Sequence, residues 1–265
     1  MASYLDRILE VTRERLEEQR RRRSPGDLER EAAQRGAPRD FLAAMMAPGI
    51  SLVAEVKRRS PSAGAIRMEI DPAGWAGAYQ RGGARALSVL TEPVFFSGSL
   101  QDLKQAREAC ALPVLRKDFV LDPYQVVEAR AAGADAVLII VAATGERGLY
   151  EDLMAAAAEV GLLPLVEIHD RAELDLAFEA NPVLIGVNQR NLHTFGVDRG
   201  LAARLRRSIP SEVAVIAESG IGSRGDVEAL EAAHVQGVLV GETLMRSEDP
   251  ERAVAELLGR RTEAR

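Results

Sequence analysis

The 265-residue chain carries 40 acidic and 34 basic side chains, a net charge of −6, with 47% hydrophobic and 28% charged residues and one cysteine. This composition provides for a large core and excludes a disordered, collagen-like or disulfide-stapled chain, and its acidic balance argues against nucleic acid as a partner, which requires a clustered cationic excess. No apolar run approaches the ~18 residues that cross a bilayer, and the charged, amphipathic start Met1–Arg23 lacks a signal-peptide core, so no membrane partner and a cytoplasmic location are expected.

In chain order, residues 1–47 read as helices over Tyr4–Arg23, Gly26–Arg35 and Arg39–Met46, broken by Pro48-Gly49. The basic run Arg20–Arg23 closes a helix that opens with Asp6 and Glu10, where cations complement the helix dipole and face solvent. No low-complexity linker follows, so residues 1–47 are expected to pack as an extension on the domain formed by residues 48–265.

Eight short apolar runs then read as strands: Leu52–Val56, Ala86–Leu90, Pro113–Lys117, Ala136–Val141, Leu163–Ile168, Val183–Asn188, Val213–Ala217 and Gly237–Gly241. Their spacing of roughly two dozen residues is that of a βα unit rather than a hairpin. Helix starts are legible between them. Asp71-Pro72 and Asp122-Pro123 pair a capping carboxylate with a first-turn proline, and Ser99/Asp102, Asp170/Glu173 and Ser223/Asp226 have capping-box spacing. Gly82-Gly83, Gly133 and Gly161 read as helix stops. The α/β alternation predicts a single (β/α)8 TIM barrel with an N-terminal helical extension; an open doubly wound sheet remains an alternative, weakened because no G-x-G-x-x-G follows the first strand.

Catalytic groups in such a barrel sit at the C-terminal strand ends. The two-residue period puts Val53, Glu55 and Lys57 on one face of the first strand, Leu115, Lys117 and Phe119 on the third, and Leu163, Leu165 and Glu167 on the fifth. Leu184, Gly186, Asn188 and Arg190 are in phase on the sixth, as are Ala214, Ile216 and Glu218 on the seventh, with Ser219 at the turn. A single charge at a strand end is ordinarily solvated or paired. A set of Glu55, Lys57, Lys117, Glu167, Asn188, Arg190 and Glu218 converging on one mouth points instead to acid and base chemistry.

Lysine occurs only at positions 57, 104 and 117, while every other basic residue is arginine. A guanidinium does not act as a proton donor, so two lysines retained at strand ends mark places where a tunable ammonium is useful. Glycine-containing turns, Glu218-Ser-Gly220-Ile-Gly222 and Gly241-Glu242, follow the last two strands, where backbone N–H groups of such barrels bind a phosphate ester. Cys110 reads as a small buried hydrophobe, and His169, His193 and His234 show no metal-ligand spacing.

Six segments together resemble one family. Ala54-Glu-Val-Lys-Arg-Arg-Ser60-Pro-Ser62 is followed by Leu87–Glu92 with Phe95–Gly98, Arg116–Phe119, Val166–His169, Gly186–Leu192 and Ala217–Ile221, in the order found in the indole-3-glycerol-phosphate synthases of tryptophan biosynthesis. The resemblance covers the whole barrel. It implies a small phosphorylated substrate, 1-(2-carboxyphenylamino)-1-deoxyribulose 5-phosphate, closed to indole-3-glycerol phosphate with loss of carbon dioxide and water. Lys117 is then the general acid, Glu167 the general base, and Lys57 beside Glu55 engages the substrate carboxylate and serves the dehydration. Asn188 and Arg190 hold the anthranilate part, and Glu218 with Ser219 completes the polar wall. Phe119 and Ser60 join the substrate-binding set, and Ser60, Gly220, Gly241 and the backbone of Glu242 form the phosphate seat.

Neither metal nor organic cofactor is expected, because loss of the carboxylate restores the aromatic ring without an external electron sink. The expected assembly is a monomer or weak homo-oligomer. Gln189, Arg58-Arg59 and Glu242 depart from the family pattern. The alternatives are a phosphoribosylanthranilate isomerase-like or other phosphate-sugar barrel enzyme, or a non-catalytic metabolite-binding barrel. The first requires a cysteine and an aspartate near the mouth, and the second would have lost Lys117 or Glu167.

Overall fold

A computed structural model of the chain describes residues 3–145, 147–191 and 194–260. Leu192 and His193 of the sequence reading lie outside the described residues.

Eight parallel strands close into a barrel: β1 (Ser51–Val56), β2 (Ala86–Leu90), β3 (Val114–Lys117), β4 (Ala136–Ile140), β5 (Leu163–Ile168), β6 (Leu184–Asn188), β7 (Ala214–Glu218) and β8 (Gly237–Val240). Each pairs with its neighbour in sequence, and β1 pairs with both β2 and β8, so no open edge remains. The expected (β/α)8 barrel is therefore observed, with most strand boundaries shifted by a residue. The largest consequence is at β7, which includes Glu218 as its last residue rather than leaving it in the turn.

Helices start where the sequence places their caps. Asp71 and Asp122 accept the N–H groups of Ala73 and Tyr124, Ser99 and Asp170 accept those of Asp102 and Glu173, and Ser223 with Asp226 forms a reciprocal box. Gly83 and Gly133 end their helices in the left-handed region, at φ 100° and 97°, where a side chain would be strained. Cys110 is buried as the residue that follows α5 (Leu100–Ala109).

Strand alternation divides the core into two shells. Leu52, Ala54, Leu87, Val89, Val137 and Ile139 pack outward against the helices, whereas Val53, Ala86, Leu115, Leu138, Leu165 and Ile216 fill the barrel. The inward phase therefore carries Glu55, Lys117, Glu167, Asn188 and Glu218 to the top of a packed aliphatic plug.

The N-terminal residues wrap this barrel from end to end. Helix α1 (Tyr4–Arg22) opens with a Ser3/Asp6 capping box and buries Leu5, Ile8, Leu9, Thr12 and Leu16, the helix-period face. Its first turns border the barrel mouth through Tyr4, Leu5 and Ile8. Its last turn is tied to α6 (Pro123–Ala132): Tyr124 donates to the carbonyls of Gln19 and Arg23, and Arg20 pairs with Asp122 at 2.6 Å. Arg22 pairs with Glu18 and Arg23 with Glu31, so the basic run ends in exposed ion pairs. Helix α2 (Pro25–Ala33) continues along α6, burying Leu28 completely, and α3 (Phe41–Met46) sets Met45 under the barrel floor near Gly237.

Adjacent residues of β3 serve opposite faces. Arg116 is buried on the outer side, where it pairs with Asp118 at 3.0 Å and Glu128 at 2.9 Å and donates to the Gln125 carbonyl, while Lys117 points into the mouth. Arg116→Met would leave two carboxylates buried without their cation, and we expect it to cost about 3–5 kcal/mol. Urea unfolding checks this; a loss below about 1 kcal/mol would show that the network is solvated rather than buried.

Candidate active site

A cavity of about 550 Å³ opens at the C-terminal end of the strands. All the residues singled out from the sequence line it: Glu55, Lys57, Ser60, Lys117, Phe119, Glu167, Asn188, Arg190, Glu218, Ser219, Gly220, Gly241 and Glu242. A cavity of this size encloses a ligand of a few dozen atoms.

Two charge clusters face each other in it. Lys117 Nζ lies 2.7 Å from Glu167 Oε2 and 3.1 Å from Glu218 Oε2, while Lys57 Nζ lies 2.6 Å from Glu55 Oε1. Asn188 donates to Glu167 Oε1 at 3.1 Å and accepts from Ser219 Oγ at 2.9 Å and from the Arg190 N–H at 3.1 Å. This chain fixes the Glu167 carboxylate from the side away from Lys117. Two glycines make room for the carboxylates: a Cβ on Gly186 would overlap Glu218 Oε1, and one on Gly241 would overlap Glu55 Oε1.

The electrostatics follow from this crowding. Burial opposes charge on Lys117, yet Glu167, Glu218 and Glu55 together raise its pKa above the usual lysine value, so it stays an ammonium. Burial likewise opposes charge on Glu167, but Lys117 and His169 overcome it and hold this carboxyl well below the usual range. Glu218 goes the other way: burial and the neighbouring Glu167 outweigh Lys117 and push it up to about 8, so it is largely neutral at pH 7. Three carboxylates crowd around two ammoniums, and the one with the weakest compensation keeps a proton.

The glycine turns stand across the cavity. Ser219 and Gly220 both adopt positive φ, 67° and 76°, and Gly241 precedes the short helix α12 (Glu242–Met245) without any side-chain cap. A non-glycine residue at positive φ is strained, and here it turns the chain sharply after Glu218. Glu242 does not face this seat as a free anion, because its Oε1 is held by Arg246 at 3.0 Å. Ser60, by contrast, uses its hydroxyl to accept the Ala63 N–H at 3.2 Å, which shapes the loop after β1. Arg58, one of the departures from the family pattern, braces that loop by pairing with Asp102. Gln189, another, is buried and donates to the Ser219 carbonyl at 2.9 Å.

The remaining wall is aromatic and partly contributed by α1. Tyr4 contacts Phe95 and Phe195 edge-to-face, with ring centroids 5.6 and 5.4 Å away, and Phe96 packs near Phe119. Buried Glu92 organises this side by accepting the N–H groups of Val94, Phe95 and Phe96 and pairing with Arg15 of α1 at 3.4 Å.

Comparison with known proteins gives this geometry a family. The family profile described as indole-3-glycerol phosphate synthase matches residues 5–257. The chain belongs to the indole-3-glycerol phosphate synthase family. It is 48% identical over 257 residues to the protein of that name from Mycolicibacterium gilvum, covering 97% of this chain and 94% of that one. It is 51% identical over 221 residues to indole-3-glycerol phosphate synthase 2 of Streptomyces coelicolor, covering 83% and 85% of the two chains. A designed cube-shaped protein cage built by fusing symmetric oligomeric domains aligns with a TM-score of 0.56 at 16% identity, covering 79% of this chain and 71% of that one, and shares the fold alone.

Three contributions to this synthase-family site were missing from the sequence reading. Tyr4, Leu5 and Ile8 form part of the wall, which the apolar face of α1 signals but cannot direct to the mouth. Glu92 and Phe96 fall in segments that match the family but lie in the loop beyond Leu90, the last residue of β2, where no candidate was chosen. His169, considered only as a metal ligand, sits 3.3 Å from Glu167. Its position two residues beyond Glu167, and so in phase with it, was the available signal.

Proposed function

We propose that the mouth seats the substrate phosphate between Gly220 and Gly241 and the anthranilate ring against Phe119 and the aromatic wall, leaving the keto oxygen at Lys117. The chain is a carbon–carbon lyase, an indole-3-glycerol-phosphate synthase of tryptophan biosynthesis. The observation that carries the assignment of roles is the Lys117, Glu167 and Glu218 cluster, set beside Lys57 and Glu55 in one mouth.

In this reading the ring carbon that bears the carboxylate attacks the keto carbon, and negative charge develops on its oxygen. Lys117 gives that oxygen a proton; its hold on the proton loosens only as charge builds in the transition state. Lys57, held by Glu55, engages the substrate carboxylate, which then leaves as carbon dioxide and restores the ring. Glu167 takes the proton released as the indole double bond forms, with Asn188 fixing its orientation, and Lys57 assists departure of water. Arg190 and Ser219 border the anthranilate carboxylate, and Ser60 with the Gly241-Glu242 backbone completes the anion seat. Residues 1–47 act as an extension of the 48–265 barrel, closing the mouth through α1. Among the described residues no helix is long and apolar enough to cross a membrane. We place the chain in the cytoplasm, where phosphorylated intermediates are retained, as a monomer or weak homo-oligomer.

The isomerase alternative finds no support at the cavity, because Cys110 is buried behind α5 rather than at the mouth. Incubation of the purified protein with the carboxyphenylamino-deoxyribulose phosphate tests the function. Indole fluorescence should rise with enzyme-dependent kinetics, and its absence with folded protein would reject the assignment.

Glu218 gives a separate test. Its pKa, raised to about 8, means that folding takes up a proton between pH 4.5 and 8 and loses stability as pH rises through that window; at pH 7 the folded carboxyl is largely neutral, so glutamine mimics its working state. Glu218→Gln is expected to keep kcat within about tenfold of the wild type at pH 7 while Glu218→Ala loses about 100-fold or more. Equal losses in both variants would mean that Glu218 works as a carboxylate.

A further inference from the structure

We propose that His169 is the positioning residue that decides which member of the Glu167–Glu218 pair carries their shared proton: as an imidazolium it keeps Glu167 ionised and leaves the proton on Glu218. The inference deepens the assignment of Glu167 as general base and rests on it.

Two buried carboxyl groups compete for one ammonium. Lys117 Nζ lies 2.7 Å from Glu167 and 3.1 Å from Glu218, whose side chains are 1% and 3% exposed. Two carboxylates crowded together away from water disfavour a double charge, so the pair retains a proton. Glu167 can act as a base only while that proton sits on its neighbour. Lys117 touches both groups and so does not break the tie by itself. Asn188 donates to Glu167 Oε1 at 3.1 Å, but it brings a dipole rather than a charge and is itself held by Ser219 and the Arg190 N–H. Among the described residues, the ion pairs of Glu167 are with Lys117 and His169, whereas Glu218 pairs with Lys117 alone.

Geometry puts a charge on the imidazole. Glu173 Oε2, on α9 (Arg171–Ala177), accepts the His169 backbone N–H at 2.8 Å and lies 3.1 Å from Nδ1, so Nδ1 donates to it. At the other edge of the ring, Nε2 lies 3.3 Å from Glu167 Oε1. An ionised carboxylate offers lone pairs alone, and a bare Nε2 would set its own lone pair against them. Both ring nitrogens therefore carry protons, the cationic state in which histidine donates twice.

The charged groups facing the ring are Glu167 on its own strand, Glu173 on α9 and Asp198 after β6, which lines the same side cavity as His169. Asp170 caps α9, and Lys117 and Glu218 stand behind Glu167. Burial disfavours the imidazolium, but the two glutamates outweigh it and push His169 up to about 10. The carboxyl pair shows the same asymmetry. Burial opposes charge on both members, yet Lys117 and His169 hold Glu167 well below the usual range while Glu218 is pushed up to about 8. The assignment moves no extra proton during turnover. Lys117 gives one and Glu167 takes one, the two restore each other across 2.7 Å, and His169 and Glu218 keep theirs.

Ring 15N spectra and steady-state kinetics test this together. In the wild type both His169 nitrogens should give protonated signals at pH 7, a reading that requires no variant. In His169→Gln the shared proton spends its time on Glu167, so kcat at pH 7 should fall about tenfold or more. Raising the pH removes that proton and frees the base, so the deficit relative to the wild type should shrink at least about threefold by about pH 9.5. Where Glu218 is already glutamine there is no proton to assign, and adding His169→Gln to Glu218→Gln should cost less than about threefold. A singly protonated His169 ring at pH 7, an unchanged kcat in His169→Gln, or an equal loss at both pH values or in both backgrounds would overturn the proposal. A merely structural role predicts the equal loss, and the wild-type spectra decide even if the variant fails to fold. Absence of indole formation by a wild type whose His169 is doubly protonated would instead overturn the reaction on which the role of Glu167 rests.

Discussion

Lys117→Met is expected to lower kcat at least ~100-fold at pH 7 while leaving the circular dichroism spectrum and the melting transition near those of the wild type. Methionine matches the lysine stem in volume but has no proton to give, and the two carboxylates it would strand have an outlet, since Glu218 is already largely neutral. The same magnitude is expected for Glu167→Gln. Because acid and base lie 2.7 Å apart and are held by each other, the double variant should lose little more than either single one. Steady-state kinetics on the three proteins checks this; near-normal turnover of either single variant would remove that residue from the proposed mechanism.

Gly241→Ala should lose about 100-fold in kcat/KM by a purely steric route. Gly241 has a negative φ, −117°, with ψ −70°, so its backbone does not need the left-handed freedom of glycine and the obstacle to alanine is the space its side chain would fill. The added methyl would overlap Glu55 Oε1 and come within 2.9 Å of Lys57 Nζ, forcing the dyad to move in a site where a displacement of about 1 Å can cost 100-fold. Gly148→Ala, on α8 (Arg147–Glu159) with open space around it, is the control and should match the wild type. Activity of Gly241→Ala within about threefold of wild type would mean that Glu55 and Lys57 adapt freely and are not held for the reaction.

Strand identity and inward phase were legible because a period of two on short apolar runs leaves little freedom once the runs are parallel. That phase alone brought Glu55, Lys117, Glu167 and Glu218 to the same cavity. Caps were legible for an equally local reason, a side-chain oxygen reaching an N–H two or three residues ahead. What periodicity could not supply was contact between segments distant in sequence. Tyr4 meets Phe95 and Phe195, and Arg15 meets Glu92, across separations no local pattern encodes. The opposite roles of Arg116 and Lys117 follow from alternation once β3 is known, yet the sequence treated them as one motif. His169 was passed over because its chemistry was tested only against metal-ligand spacing, whereas its partners Glu167 and Glu173 lie two and four residues away.

A crystal structure with a substrate analogue whose keto group is reduced to an alcohol tests the assignment of the mouth most directly. The phosphate should bind against the backbone of Gly220 and Gly241, with the alcohol oxygen within hydrogen-bond distance of Lys117 Nζ. A phosphate bound elsewhere, or an alcohol oxygen turned away from Lys117, would contradict the proposed roles of the glycine seat and of the buried ammonium.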